Sequence, residues 1–336
     1  MDTKDEVNRQ DEIMNKYLVI TIDVEPDCSA NWTYSSPLTF RGVHEGIAKR
    51  LQPLFIKYNY SPTYLINNVV LEDKRCCEIL KNLKGRFELG THLHPEFIEP
   101  AKTEWNYAGK KGEANCCYYP PEIEYAKIKN ITELFTQQFG YLPVSFRAGR
   151  FSAGTNTIES LDKLGYKVDT SVTPHVNWND KTRERPVDYS HAPDQPYRVK
   201  ELTLLEADKN GRILEIPVTI ANRKVSLFSE LKRTYLGMRH KIERRRPVWL
   251  RPVFSDLTDF ISLIDEFSHK YSENDNIVYN MMFHNVEVMP GLSPYAHSES
   301  DAAAYLSQLE NFFIYCKQNN IQGITLHDAY QLYAKP

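Results

Sequence analysis

Long apolar runs are missing from this chain. No segment approaches the ~18 consecutive apolar residues that a membrane-crossing helix needs, so none is expected. Residues 1–16, MDTKDEVNRQDEIMNK, form a charged N-terminal segment without the apolar centre of a secretory leader. Together these absences point to a cytoplasmic protein. Cysteine is scarce as well: Cys28, Cys76, Cys77, Cys116, Cys117 and Cys316 are the whole complement. Two vicinal pairs make a poor disulfide framework, and no C-x-x-C metal spacing occurs. Reduced, mostly structural thiols are expected, with Cys28 nearest to the chemistry described below. Charge of one sign is not in excess; a formal net charge of −3 implies no global attraction to nucleic acid. Glycine- and serine-rich linkers and internal repeats are also lacking. One domain over residues 17–336 is the simplest organisation.

What the chain does contain is alternation. Tyr17–Asp23 (YLVITID), Pro62–Ile66, Arg86–Leu89, Val144–Arg147 and Tyr166–Asp169 read as buried strands. Between them, helical spacing runs over Val43–Tyr58, Val70–Leu83, Glu122–Phe139 and Thr155–Leu164, the last closed by Gly165. Ser171–Gly211, rich in Pro, Asp and Arg, reads as irregular structure with room for a hairpin. Ile213–Ile220 is strand-like, and helical patterns resume over Leu227–Arg239 and Leu257–Tyr271. Val278–His284 and Gly323–Leu326 read as the last strands, separated by a helix over Asp301–Asn319. Alternation of this kind argues for parallel strands with crossover helices. Seven or eight such units imply an α/β fold, a complete or distorted (β/α) barrel.

In parallel β/α folds the working residues gather at the C-terminal ends of strands. Five strand ends here carry ionisable groups: Asp23-Val24-Glu25, His92-Leu93-His94, Arg147, Asp169 and His284. Two imidazoles two residues apart point the same way from an extended segment. With a carboxylate from a neighbouring strand they make a His–His–carboxylate set that leaves positions open on a divalent metal. Such a metal lowers the pKa of bound water and polarises a carbonyl, and a second carboxylate is then wanted to take the proton. Asp23 and Glu25 supply the two acids. His284, which can change charge near neutral pH, is a candidate proton donor.

At these residues the chain resembles the polysaccharide deacetylase (NodB-homology) superfamily, in order from about Tyr17 to Asp328. The family's first motif, approximately T-F-D-D-G, is similar to Thr21-Ile22-Asp23-Val24-Glu25. The resemblance makes Asp23 the general base and, on the D-x-D variant of the motif, Glu25 a metal ligand. Glu88–Pro95 resembles the second motif, with its two histidines two apart in place of four, which assigns the metal role to His92 and His94. Phe146-Arg147-Ala148-Gly149-Arg150-Phe151 is similar to the third, so Arg147 is expected to orient the base. The segment Gly165–Ser171, which holds Asp169, resembles the fourth motif, and Met281–His284 the last, which supplies the catalytic histidine. The implied fold is a single-domain, distorted (β/α) barrel of the polysaccharide deacetylase type. The implied activity is zinc-dependent removal of an N-acyl group, acetyl first, from an amino sugar or its nucleotide- or lipid-linked form. A backbone N–H near Arg150 or Phe151 would help hold the oxyanion.

Other features stay open at this stage. Tyr118 and Tyr119, like Trp105 and Tyr107 in the Glu96–Pro121 insertion, are candidates for stacking on a sugar face, with packing as the alternative. Glu215 is a rim acid without a fixed role, and His327 reads as structural or as a cap. The basic stretch Lys232–Arg251 is either a solvated face or a footprint for an anionic partner, such as a substrate diphosphate or a membrane surface. Rival functions are another C–N hydrolase on the same scaffold, a two-His-one-carboxylate iron oxygenase, and a binding relative that has lost catalysis. The strand–helix alternation speaks against the oxygenase. A pure binder has no need of an acid, the paired histidines, Arg147 and His284 together.

Overall fold

β1 (Asn15–Val24) leads through a loosely wound helical segment, Gly42–Leu51, into α1 (Gln52–Tyr58) and β2 (Thr63–Asn67). Two short helices, α2 (Asn68–Glu72) and α3 (Lys74–Lys81), precede β3 (Glu88–Leu93). Then come α4 (Pro121–Phe139), β4 (Ser145–Ala148), α5 (Thr155–Lys163) and β5 (Val168–Asp169). A hairpin, β6 (Tyr197–Lys200) with β7 (Thr203–Ala207), stands before β8 (Leu214–Glu215), β9 (Ile220–Lys224) and β10 (Arg245–Trp249). The chain ends with α6 (Leu257–Lys270), β11 (Asn276–His284), α7 (Glu299–Gln318), β12 (Ile321–Ile324) and α8 (Leu326–Tyr333). This computed structural model describes residues 15–102, 113–178, 187–201, 203–224, 245–253, 255–273 and 276–334. The Leu227–Arg239 helix, Trp105, Tyr107 and most of Lys232–Arg251 lie outside the described residues.

The main sheet runs β11-β1-β2-β3-β4-β5-β8-β6-β7. From β11 to β8 every pairing is parallel, and β12 adds a further parallel strand along the first half of β1. β6 and β7 continue it antiparallel, which is the hairpin expected in Ser171–Gly211. Between β8 and β11 irregular chain finishes the curl. Thr219 N–H donates to Asn280 O at 3.0 Å, and the Gln195 amide bridges both the N–H and the C=O of Val278. The architecture is therefore the distorted (β/α) barrel expected from the alternation. Two expectations need correction. Of Ile213–Ile220, only Leu214–Glu215 pairs into the main sheet. The helix expected over Val70–Leu83 is broken at Asp73, whose extended backbone (φ −90°, ψ 111°) ends α2 while its side chain caps α3.

Strand alternation sorts the side chains into two layers. Val19, Leu65, Val168, Leu214, Ile216, Val278 and Ile324 point inward and pack together, with Leu326 and Ala329 of α8 sealing the barrel floor. Leu18, Ile20, Ile22, Val24, Tyr64, Ile66, Leu93, Phe146 and Ala148 face the helices in the larger core. The inward positions thus change, within one strand, from aliphatic at the floor to polar at the rim.

Candidate active site

The inward row of β1 continues from Val19 through Thr21 to Asp23 and Glu25. Val24, the residue between the two acids, is fully buried in the helix-facing core. The D-x-E spacing is what places two carboxylates on one face of a strand. β3 repeats the device: Thr91 and Leu93 face the helices, and His92 and His94 face the interior. Arg147 of β4 and His284 of β11 belong to the same inward row.

Three ligand atoms meet at the rim. Glu25 Oε1 lies 3.1 Å from His92 Nε2 and 2.9 Å from His94 Nε2, and the two Nε2 atoms are 3.1 Å apart. All three residues are buried. The His92 Nδ1–H donates to Arg147 O at 3.2 Å, which leaves the Nε2 lone pair directed into the site. Burial works to lower the His94 imidazole, yet Glu25, helped by Glu96, outweighs it and lifts the group to about 9. The Glu25 carboxyl shows the complement: burial works to raise it, and His94 and His92 pull it well below its ordinary value. Two ring nitrogens and a buried carboxylate oxygen facing one another at this distance call for something shared between them. A proton serves, and a divalent metal held by these three atoms serves better. The donor set fits the ion.

Asp23 sits beside the triangle without joining it. Its Oδ1 accepts from Arg147 Nη1 at 2.7 Å, and its Oδ2 lies 3.8 Å from His92 Nε2 and 3.9 Å from His284 Nε2. Burial works to raise this carboxyl, but Arg147, with His92 and His284, keeps it lowered and ionised. Arg147 is itself fully buried and fully occupied. Its Nε donates to Thr170 O, and Nη2 to Thr21 Oγ1 and Thr170 Oγ1. The guanidinium therefore has little freedom to turn away from Asp23.

His284 closes the opposite side. Its Nε2 stands 4.0 Å from Glu25 Oε1, and its Nδ1 is 2.8 Å from Glu287 Oε1. The short helical turn Asn285–Val288 brings Glu287 back beneath the ring. Glu287 is fully buried and also accepts from Arg251 Nη2 at 2.6 Å and from the Tyr305 hydroxyl at 2.9 Å. Burial works to raise its carboxyl, and Arg251 and His284 hold it lowered. A buried carboxylate on Nδ1 leaves Nε2 as the atom that delivers or takes a proton in the site.

No family model matches the chain, and no curated protein matches it. Solved structures do. The chain superposes on a protein of Mycobacterium smegmatis assigned to the polysaccharide deacetylases at TM-score 0.52 and 15% identity, covering 95% of this chain and 91% of that one. It has the polysaccharide deacetylase fold. Puue allantoinase is similar at TM-score 0.51 and 14% identity, over 94% and 88% of the two chains. A branching enzyme of Thermococcus kodakaraensis, crystallised with glucose, is similar at 0.51 and 11%, over 96% and 72%.

Within that deacetylase fold the structure brings together Asp23, Glu25, His92, His94, Arg147 and His284. It does not bring Asp169. Val168 and Thr170 point inward, so Asp169 between them points out, opposite Glu215 of β8. The two carboxyls are fully buried side by side, and Ser171 Oγ donates to Asp169 at 2.6 Å. Arg150 is likewise redirected: its Nη1 donates to Glu96 Oε1 at 2.8 Å and to Ala114 O at 3.0 Å. Phe151 lies parallel to Trp178, with ring centroids 5.8 Å apart, and under the Arg147 guanidinium. Tyr119 is packing, its hydroxyl on Glu113 O and its ring beneath Lys127 Nζ. Tyr118 occupies the one-turn helix Cys116–Tyr118. Cys28 is buried, with its thiol pushed up by burial and by Glu25 and Asp27, which favours the protonated form. His327 lies in α8, which Thr325 caps. At the described end of the basic stretch, Arg251 is buried against Glu287 instead of facing solvent.

Sequence reasoning missed four further contributors. Tyr34 donates its hydroxyl to Glu25 Oε2 at 3.1 Å. Asn285 clamps the Glu25 main chain, accepting from its N–H at 2.9 Å and donating to its carbonyl at 3.1 Å. Glu96 lies 3.7 Å from His94 Nδ1, and Glu287 backs His284. For Glu96 and Glu287 the signals were there as His-x-Glu and His-x-x-Glu, each just after a strand.

Proposed function

We propose that this chain is a metal-dependent hydrolase that removes an N-acyl group, acetyl first, from an amino sugar or a sugar conjugate. The observation that carries it is the convergence of Glu25 Oε1, His92 Nε2 and His94 Nε2, flanked by Asp23–Arg147 on one side and His284–Glu287 on the other. A divalent ion, zinc by the donor set, supplies Lewis-acid polarisation of the acyl carbonyl and acidifies water. Asp23, ionised and oriented by Arg147, takes the proton of the attacking water. The left-handed turn at Arg150 and Phe151 (φ 55° and 53°) follows β4 directly and is where this reading places the backbone N–H for the oxyanion. His284 Nε2 hands a proton to the departing amine, and Glu287 steadies the imidazolium while it carries the charge.

A sugar is favoured by the rings at the rim. Trp32 is an exposed indole whose ring lies 4.9 Å from that of His284, with Tyr295 edge-on to it at 5.7 Å. Exposed Trp178 stacks on Phe151. Indole faces of this kind pack against the apolar faces of pyranose rings. The substrate class this reading favours is a nucleotide- or lipid-linked amino-sugar precursor of a surface polysaccharide.

The test is elemental analysis of purified wild type and His92→Ala/His94→Ala, followed by acetate release from N-acetylated sugar nucleotides. Divalent metal lost in the double variant together with acetate release supports the reading. Release of another acyl group would move the substrate within the C–N hydrolases. A wild type that takes up no metal even after supplementation would overturn the mechanism.

A further inference from the structure

A second set of metal-ligating side chains converges on residues that the catalytic triangle does not use. His44, Asp73 and Cys76 each bring one ligand atom within 4.8 Å of the others. The break in the helix expected over Val70–Leu83 creates the arrangement. Asp73 leaves helical geometry there, caps α3, and accepts the Cys76 N–H at 2.8 Å on Oδ1. Carboxylate and thiol are thereby fixed on one turn. His44, on the segment Gly42–Leu51 packed across α3, sets its Nε2 3.5 Å from Cys76 Sγ.

That spacing has a chemical meaning. Zinc bonds of ~2.0 Å to imidazole and ~2.3 Å to thiolate, opened to a tetrahedral angle, separate the two ligand atoms by roughly 3.5 Å. A thiol–imidazole hydrogen bond can span the same gap, so the distance alone does not decide. What points to an ion is the third donor: the cap of α3 holds the Asp73 carboxylate so that one of its ligand atoms lies within 4.8 Å of those of both His44 and Cys76. Cys76 is fully buried, while His44 and Asp73 are half-buried and give an ion a path in from solvent.

We propose that His44, Asp73 and Cys76 bind a second divalent ion of the zinc type, clamping α3 to the Gly42–Leu51 segment. A mixed thiolate, imidazole and carboxylate set excludes magnesium and calcium by softness. Binding releases the Cys76 thiol proton to solvent and forms one Zn–S, one Zn–N and one Zn–O bond. Three protein ligands leave the fourth position to water, so the ion exchanges.

Cobalt(II) titration of the metal-free protein tests this, because the catalytic triangle holds no sulfur. A thiolate-to-cobalt charge-transfer absorption is expected in wild type, in His92→Ala/His94→Ala and in Cys28→Ser. It should be absent in Cys76→Ser and strongly weakened in His44→Gln, a variant of a half-buried residue that spares the core. Zinc content should read about two ions per chain in wild type and about one in either Cys76→Ser or the double histidine variant. No sulfur band in wild type, or a band that survives Cys76→Ser, overturns the second site and leaves the catalytic reading untouched. A wild-type content of about one ion, lost only with Cys76, overturns the catalytic reading and leaves this one standing.

Discussion

A histidine ring has two nitrogens, and each working histidine of this site turns one of them toward the protein. His92 gives Nδ1 to Arg147 O and His284 gives it to Glu287, while His94 faces Glu96 at 3.7 Å across its Nδ1. Such partners fix tautomer and ring plane, and losing one typically weakens metal binding ~10–100-fold. Glu96→Gln should therefore raise the zinc Kd by about that factor, read by competition with a chromophoric chelator, with Arg150→Ala giving a smaller effect of the same sign because Arg150 tethers Glu96. An unchanged Kd in Glu96→Gln would remove the carboxylate from the site's support. Glu287 makes a different kind of claim. Glu287→Gln should lower kcat by up to ~10²-fold, within the range of acid–base contributions, with metal content and KM nearly unchanged. It also strips Arg251 of its buried counter-charge, a loss of ~3–5 kcal/mol that thermal melting reads separately. Normal turnover in a variant that still folds would show that the His284 proton needs no help from Glu287.

Strand and turn geometry explains why some of this was legible and some was not. D-x-E after Thr21 and H-x-H after Gly90 announce themselves because period two is a local rule, and the barrel only had to align two rims. Asp169 was placed at the rim as a strand-end acid and by the resemblance to the fourth motif, with no test of its parity. Its strand contributes Val168 and Thr170 to the interior, and nothing within Tyr166–Asp169 itself says which set faces in. Tyr34 and Asn285 were invisible for another reason. Their contacts with Glu25 depend on how far the loops after β1 and β11 fold back, which the sequence states only through long-range packing. Between β3 and β4 that packing is so close that Gly149 has no space for a side chain. A Cβ there would lie 2.8 Å from Leu93 O and 3.1 Å from His94 Cδ2. Gly149→Ala is expected to displace His94 and cut zinc affinity at least as far as Glu96→Gln, with most of the helix signal kept. Full metal binding by that variant would mean the His94 segment is pliant and its spacing in the sequence carries little information.

The whole molecule carries buried carboxyls of two opposite kinds, and their balance sets its response to pH. Asp23 and Glu25 are held lowered by cationic neighbours, so the stability they contribute is present above the ordinary carboxylate range and is lost as pH falls through their folded values. Glu124 is pushed up to about 7 by burial, against a hydrogen bond from Thr157. Glu215 is raised well above its ordinary value by burial and by Asp169, which burial raises as well. A proton held between the facing carboxyls of Asp169 and Glu215 accounts for both, and for the lack of any other partner on Asp169 Oδ2 and Glu215 Oε2 among the described residues. Raised acids act with the opposite sign. Their contribution is full below ~4.3, where the unfolded chain is also protonated, and is lost as pH rises toward the folded values, by ~1.4 kcal/mol for each pH unit that separates the folded and unfolded pKa. Glu215→Gln replaces the shared proton with an amide N–H and can still accept the Val172 N–H on Oε1. Urea unfolding of the metal-free protein should then show the variant more stable than wild type at pH 8 and little changed at pH 5. If the two proteins lose stability in parallel from pH 5 to 8, the carboxyls share no proton, and Asp169 returns as an ionised group whose charge must be accounted for at the rim.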